Sequence, residues 1–166
     1  MVRNIILIGF MGTGKSTVGK AVATELDWGF IDTDEQVEAL AGKSISELFA
    51  QDGEQHFRKL ESQVLSDIAK REHLVVSTGG GAVLRQENRQ AMLASGLVVA
   101  LTADAETIIE RVRLDTNRPL LAGDLPSKVQ RLMKEREGAY DFATVKIDTS
   151  GLGVEEIVEI ILTHTT

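Results

Sequence analysis

Five short apolar runs punctuate the chain: NIILIG (4–9), GFIDT (29–33), HLVVSTG (73–79), LVVALT (97–102) and ATVKIDT (143–149). Their length and β-branched content predict strands. In the first, third and fourth the apolar residues are consecutive rather than alternating, as expected for strands covered on both faces of a parallel sheet. Between them, apolar positions recur at helical spacing near 15–26, 34–40, 46–51, 54–71, 86–95, 104–114, 126–138 and 154–163. Asp104 and Ser127 read as start signals, Gly96 and Gly138 as stops. The last segment, VEEIVEIILTH, reads as an amphipathic closing helix packed on the sheet. Strand and helix in alternation predict an α/β domain with right-handed crossovers, a single unit over 1–166. Ligands of such sheets sit beyond the carboxyl ends of the strands. That rule points to 9–17, 32–35, 78–82, 102–104 and 148–151. The one long irregular stretch, RLDTNRPLLAGDLP (113–126), contains both prolines, Pro119 and Pro126. A loop of that length in a small domain is usually functional or disordered.

Composition narrows the function. The apolar fraction is 43 % and the charged fraction 26 %, the balance of a globular protein. No apolar run reaches the roughly 18 residues a membrane helix needs, so no membrane partner is expected. The opening MVRNIILIGF ends in glycine and lysine without a cleavage signature, and so reads as a strand rather than a leader. The chain has no cysteine, which excludes disulfides, thiolate nucleophiles and cysteine metal sites and fits a reducing cytosol. The net charge of −7 argues against broad nucleic-acid binding, which wants a basic face. It also sets a constraint: an acidic protein that binds phosphates must collect positive charge locally.

Gly9, Gly14, Lys15 and Ser16 satisfy G-x-x-x-x-G-K-[ST], with a strand before and a helix after. Gly12, Thr13, Gly14, Lys15, Ser16 and Thr17 are therefore candidates for nucleotide binding. The glycines let successive N–H groups turn inward, and the helix N-terminus adds its own donors for phosphate oxygens. Lys15 would reach the β- and γ-phosphates and Ser16 would hold Mg²⁺. The alternative is a glycine-rich turn that merely caps a helix. No Asn-Lys-x-Asp sequence is present for guanine selection, and the strand ending in STGGG brings no carboxylate. The acid on the metal side must come from DTDE, where Asp32 could support Mg²⁺ through water. Asp34 could bind a substrate hydroxyl and take its proton as general base, or could simply cap the next helix. Gly79, Gly80 and Gly81 would let backbone approach a ligand closely, where one glycine would serve a plain turn. Arg58 and Glu61 lie three apart on one helix face, so Glu61 could brace the guanidinium. An ordinary surface ion pair fits that spacing equally well. Arg136, near the end of 126–138, could bind an anion or only complement the helix dipole.

GFMGTGKST, DTD, FRKLE, STGGG, RPLL and REGAY occur in an order and at spacings that resemble the shikimate kinase family, over residues 5 to 148 and beyond. The resemblance implies transfer of the ATP γ-phosphate to the 3-hydroxyl of shikimate, with Mg²⁺ as cofactor. It implies a three-layer P-loop kinase fold of the nucleoside-monophosphate-kinase type, with five parallel strands in order 2-3-1-4-5. An acceptor-binding part would span about 33–61 and a mobile lid about 112–125. By the same resemblance Asp34 holds the ring hydroxyls, Arg58 and Arg136 clamp the carboxylate, and Gly80 and Gly81 line that pocket. Arg118, in NRPLL, closes on the phosphates, and Arg111 stacks on adenine. The family often has a proline-containing loop beside the base. SGLGVEE has none, so Leu152 and Gly153 stand in for that wall. A cytoplasmic monomer is expected.

The chemistry of these side chains agrees with this. Two planar guanidinium forks suit one carboxylate, and focusing them in one cleft meets the charge constraint. Phosphoryl transfer needs mainly alignment and charge neutralisation. Two rivals stand: a gluconate- or nucleotide-type kinase on the same scaffold, and a nucleotide-binding regulator without catalysis. His56, His73 and His164 form no metal-like cluster. Trp28 and Phe57 read as packing residues, although Phe57, beside Arg58, could face the substrate.

Overall fold

The computed structural model describes residues 2–114 and 124–166. Its central strand, β1 (Asn4–Ile8), is buried at every position. It pairs in parallel with β3 (Leu74–Ser77) on one side and β4 (Leu97–Thr102) on the other. The sheet is completed by β2 (Gly29–Asp32) beside β3 and β5 (Val145–Asp148) beside β4, giving the order 2-3-1-4-5. The consecutive apolar run of β1 has two destinations. Ile6 and Ile8 pack with Val76, Val98 and Ala100 in one cluster, while Ile5 and Leu7 join Val75, Val99 and Leu101 in another. Both faces of a pleated strand are then buried, which is why polar alternation is missing.

Helix α1 (Lys15–Leu26) and α8 (Val154–Leu162) cover one face, burying Val18, Val22, Ile157 and Ile161. On the other face lie α2 (Thr33–Ala41), α3 (Ile45–Asp52), α4 (Glu54–Ile68) and α5 (Gln86–Ser95), contributing Val37, Leu48, Leu65 and Met92. A third cluster of Phe10, Ile108, Val112 and Val129 joins α6 (Ala105–Arg113) and α7 (Leu125–Glu135) to the end of the sheet. Among the described residues no helix is long and apolar enough to cross a membrane.

The helix signals are partly redistributed. Asp104 caps α6 by accepting from Thr107 N, and Gly96 closes α5. Ser127 does not start α7. The helix begins at Leu125 behind Asp124, and Ser127 lies inside the first turn, donating to Asp124 Oδ2 at 2.9 Å. Proline is favoured at that first turn because its missing N–H has no helical partner there. Nor does Gly138 end the helix: α7 stops at Glu135, with Arg136 in the capping position. A short 3₁₀ helix, Ala82–Leu84, follows the glycine run.

Candidate active site

Parallel register gathers the chemistry at one edge. Asp32 is paired with Ser77 across β2 and β3, and Ser77 with Leu7 across β3 and β1. The chain leaving β1 forms the phosphate loop directly above them. Gly12 and Gly14 have φ of +77° and +90°, a region glycine enters without strain. Thr13 is buried, and its hydroxyl donates to Phe10 O at 2.7 Å, bracing the loop from within. Lys15 Nζ folds back onto the loop, donating to Gly9 O at 2.7 Å and Phe10 O at 3.0 Å. A cavity of about 290 Å³ opens here. Gly12, Gly14 to Thr17, Asp32, Asp34, Ser77 to Gly80 and Arg111 are among its lining residues.

Asp32, rather than Asp34, caps α2. Its Oδ1 accepts from Asp34 N at 2.9 Å and Glu35 N at 3.4 Å. The other oxygen faces Ser16 Oγ at 3.5 Å, and Ser77 Oγ lies 3.3 Å from the same hydroxyl. These hard oxygen donors suit Mg²⁺, which binds few protein oxygens and keeps the rest of its shell for water and phosphate. Freed from capping, the Asp34 carboxylate stands beside Gly79. A Cβ on Gly79 would lie 3.0 Å from Asp34 Oδ1 and 3.5 Å from Glu61 Oε2. Burial pushes the Asp34 pKa up and Asp32 adds to this, while Lys15 and Arg58 pull the other way.

The Arg58–Glu61 pair is not a surface pair. Glu61 is fully buried, and its Oε1 accepts from Arg58 Nη1 at 2.9 Å. Arg58 retains 16 % side-chain exposure, with the more exposed Glu54 at 3.7 Å. Its guanidinium carbon lies 5.1 Å from the Phe57 ring centroid, and Phe57 itself is core, packed on Phe49. Burial raises the Glu61 pKa above its ordinary value against the pull of Arg58. Arg136 projects from the end of α7 over the Phe10 ring, 5.6 Å from its centroid. The two arginines meet at the glycine run. A Cβ on Gly81 would stand 2.9 Å from Arg58 Cζ, and one on Gly80 would stand 2.8 Å from Arg136 Nη1.

The nucleotide-side expectations divide. Arg111 reaches the phosphate loop, donating to Gly12 O at 2.9 Å and to Thr149 Oγ1 at 3.2 Å. Gly153 is exposed at the start of α8 and is not part of the cavity wall. Arg118 and most of the stretch 112–125 lie outside the described residues. Three participants were missed from sequence: Ser77, Thr149 and Tyr140, whose hydroxyl donates to Gly80 O at 2.8 Å. Ser77 was legible as a hydroxyl at the end of a strand, and Thr149 and Tyr140 fall within stretches the sequence singled out, 148–151 and REGAY, without being marked as residues.

The shikimate kinase family matches residues 11–166. A shikimate kinase of Pelotomaculum thermopropionicum is 47 % identical over 96 % of this chain and 94 % of its own length. The structure of the Acinetobacter baumannii shikimate kinase in complex with shikimate superposes with a TM-score of 0.90. It has 36 % identity and covers 98 % of this chain and 92 % of that one. The Aquifex aeolicus shikimate kinase has a TM-score of 0.84 and 39 % identity, covering 96 % of this chain and 94 % of that one. Likeness that runs from the phosphate loop to the last residue, in sequence and in fold together, places this chain in the shikimate kinase family.

Proposed function

We propose that the chain transfers the γ-phosphate of ATP to the 3-hydroxyl of shikimate, with Lys15 and the phosphate loop on one side and Asp34, Arg58 and Arg136 on the other. The observation that carries this is the convergence of one carboxylate and two guanidinium groups on Gly79, Gly80 and Gly81, of which Gly79 and Gly80, with Asp34, line the phosphate-loop cavity. A carboxylated ring would be gripped by Arg58 and Arg136 at one end and would offer its hydroxyls to Asp34 at the other. Glu61 holds Arg58 from behind, so the fork is set before substrate arrives, which lowers the ordering cost of binding.

The loop residues 12–17 would hold the phosphates through backbone N–H groups. Lys15 would exchange the carbonyls of Gly9 and Phe10 for β- and γ-phosphate oxygens. Ser16 and Asp32, with Ser77 beside them, are the residues that would hold Mg²⁺, which when bound neutralises charge on those oxygens. A raised pKa makes Asp34 a stronger base than a surface aspartate, suited to accepting the proton of the attacking hydroxyl. Arg111, tied to the loop and to Thr149, would flank the base, with Gly153 at the far side of that subsite. Arg118 is assigned to the phosphates, and 112–125 to a lid, on sequence resemblance. The acceptor part is 33–61, within one domain. A cytoplasmic monomer without membrane or nucleic-acid partners completes the reading, in keeping with a cysteine-free chain of charge −7.

An assay of ADP release with shikimate, gluconate and AMP as acceptors tests the proposal. Turnover is expected with shikimate alone. Preference for gluconate or AMP would reassign the acceptor, and no turnover with any would favour the non-catalytic regulator.

A further inference from the structure

Tyr140 is the chain's single tyrosine. It lies in the turn after α7, half-buried where two core clusters meet, one containing Val83 and Met92 and the other Phe10 and Val129. Its hydroxyl spans from this turn to the glycine run and donates to Gly80 O.

A trans peptide points its C=O and N–H in opposite directions. Holding the Gly80 carbonyl toward Tyr140 therefore turns the Gly81 N–H away from it. Gly80 lies against Arg136 and Gly81 against Arg58, so this peptide sits between the two guanidinium groups. Its neighbours are occupied: Ala82 N bonds Gly79 O and Leu84 N bonds Gly81 O. Among the described residues, the Gly81 N–H has no backbone acceptor. A donor without a partner, placed between two cations, is suited to an anion.

We infer that Tyr140 is a positioning residue for the acceptor: by holding the Gly80 carbonyl it sets the Gly81 N–H as a third donor, between Arg58 and Arg136, for the substrate carboxylate. The inference rests on the reading of that carboxylate given above. Burial pushes the Tyr140 phenol above its ordinary pKa, against the opposing pull of Arg136, so the hydroxyl keeps its proton and remains a donor. The ring alone would fill the same space. What phenylalanine lacks is the hydrogen bond.

Steady-state kinetics of Tyr140→Phe test this. The KM for shikimate should rise about tenfold, equivalent to about 1.4 kcal/mol. The KM for ATP should stay unchanged and kcat should change less than twofold. An unchanged shikimate KM, or an equal loss in the KM for ATP, would overturn the inference. A measurement on the unaltered protein guards against a variant that fails to fold. With ¹⁵N-glycine labelling, the Gly81 amide proton should move downfield when shikimate is added. A Gly81 resonance that does not move would overturn the inference even if Tyr140→Phe could not be made. Failure of the wild type to phosphorylate shikimate would instead sink the underlying reading, so the two failures are distinguishable.

Discussion

Gly81→Ala isolates the acceptor site from the fold. Gly81 has φ −94° and ψ 2°, which alanine adopts, so the backbone is not strained by the change. The new Cβ would stand 2.9 Å from Arg58 Cζ, where carbon atoms at optimal contact are about 3.5–4.0 Å apart. The guanidinium must therefore move by something near 1 Å. It is the far end of a long side chain, so the displacement costs the fold little. It cannot move freely, however, because Arg58 is bonded to the fully buried Glu61 at 2.9 Å. A guanidinium that pivots about that bond keeps Glu61 paired, yet a 1 Å misplacement of a positioning group can cost about 100-fold in rate. The expected outcome is a shikimate KM raised about 10- to 100-fold, with the KM for ATP and the melting temperature nearly unchanged. Coupled-assay kinetics beside a thermal melt would measure both. A wild-type shikimate KM in a folded Gly81→Ala protein would refute the placement of Arg58 at the acceptor.

Other perturbations probe the remaining parts. Lys15→Met should leave the protein folded and lower kcat by about 10²- to 10³-fold, the scale for one lost charge-stabilising donor; near wild-type turnover would remove Lys15 from the chemistry. Glu61→Ala should destabilise by about 3 kcal/mol, the low end for a broken buried pair, because Arg58 keeps partial exposure and Glu54 as a second partner. An unchanged urea midpoint would contradict it. The pH profile of kcat/KM should have an acid limb above 3.8, the ordinary aspartate value, because burial and Asp32 raise the Asp34 pKa; a limb at the ordinary value would contradict that. The same shifts fix the sign for stability. Asp34 and Glu61 bind protons more tightly folded than unfolded, so their contribution is full below 3.8 and 4.5. It is lost as pH rises through the raised folded values.

Much of this site was legible in the sequence because its signals are local. The phosphate loop needs a strand, glycines at set positions and a helix, all within residues 4 to 26, and each is where the pattern put it. The two-sided burial of β1 followed from its unbroken apolar run. Ambiguity began where burial decides meaning. Arg58 and Glu61 have the same spacing on a wet helix as on a dry one. Only the packing of α4 against the sheet makes Glu61 a buried brace. The DTD segment held a cap and a second acid that lines the cavity, and spacing did not say which was which. Asp32 turned out to do the capping with one oxygen while facing Ser16 with the other. Tyr140 and Thr149 fall in stretches the sequence singled out, but their individual contacts were not readable, for a different reason. Each acts through a partner far along the chain, Gly80 and Arg111 respectively, and no local pattern encodes such a meeting. At the end of α7, Gly138 is a strong stop residue, yet its φ of +79° serves the turn after the helix rather than the cap.

The most direct test is a crystal structure of the protein with Mg²⁺, ADP and shikimate. The account predicts the shikimate carboxylate between the guanidinium groups of Arg58 and Arg136, against the Gly80–Gly81 peptide. A ring hydroxyl should lie within hydrogen-bonding distance of Asp34, on the side facing Lys15. A carboxylate bound away from both arginines, or a ring whose hydroxyls do not reach Asp34, would contradict it.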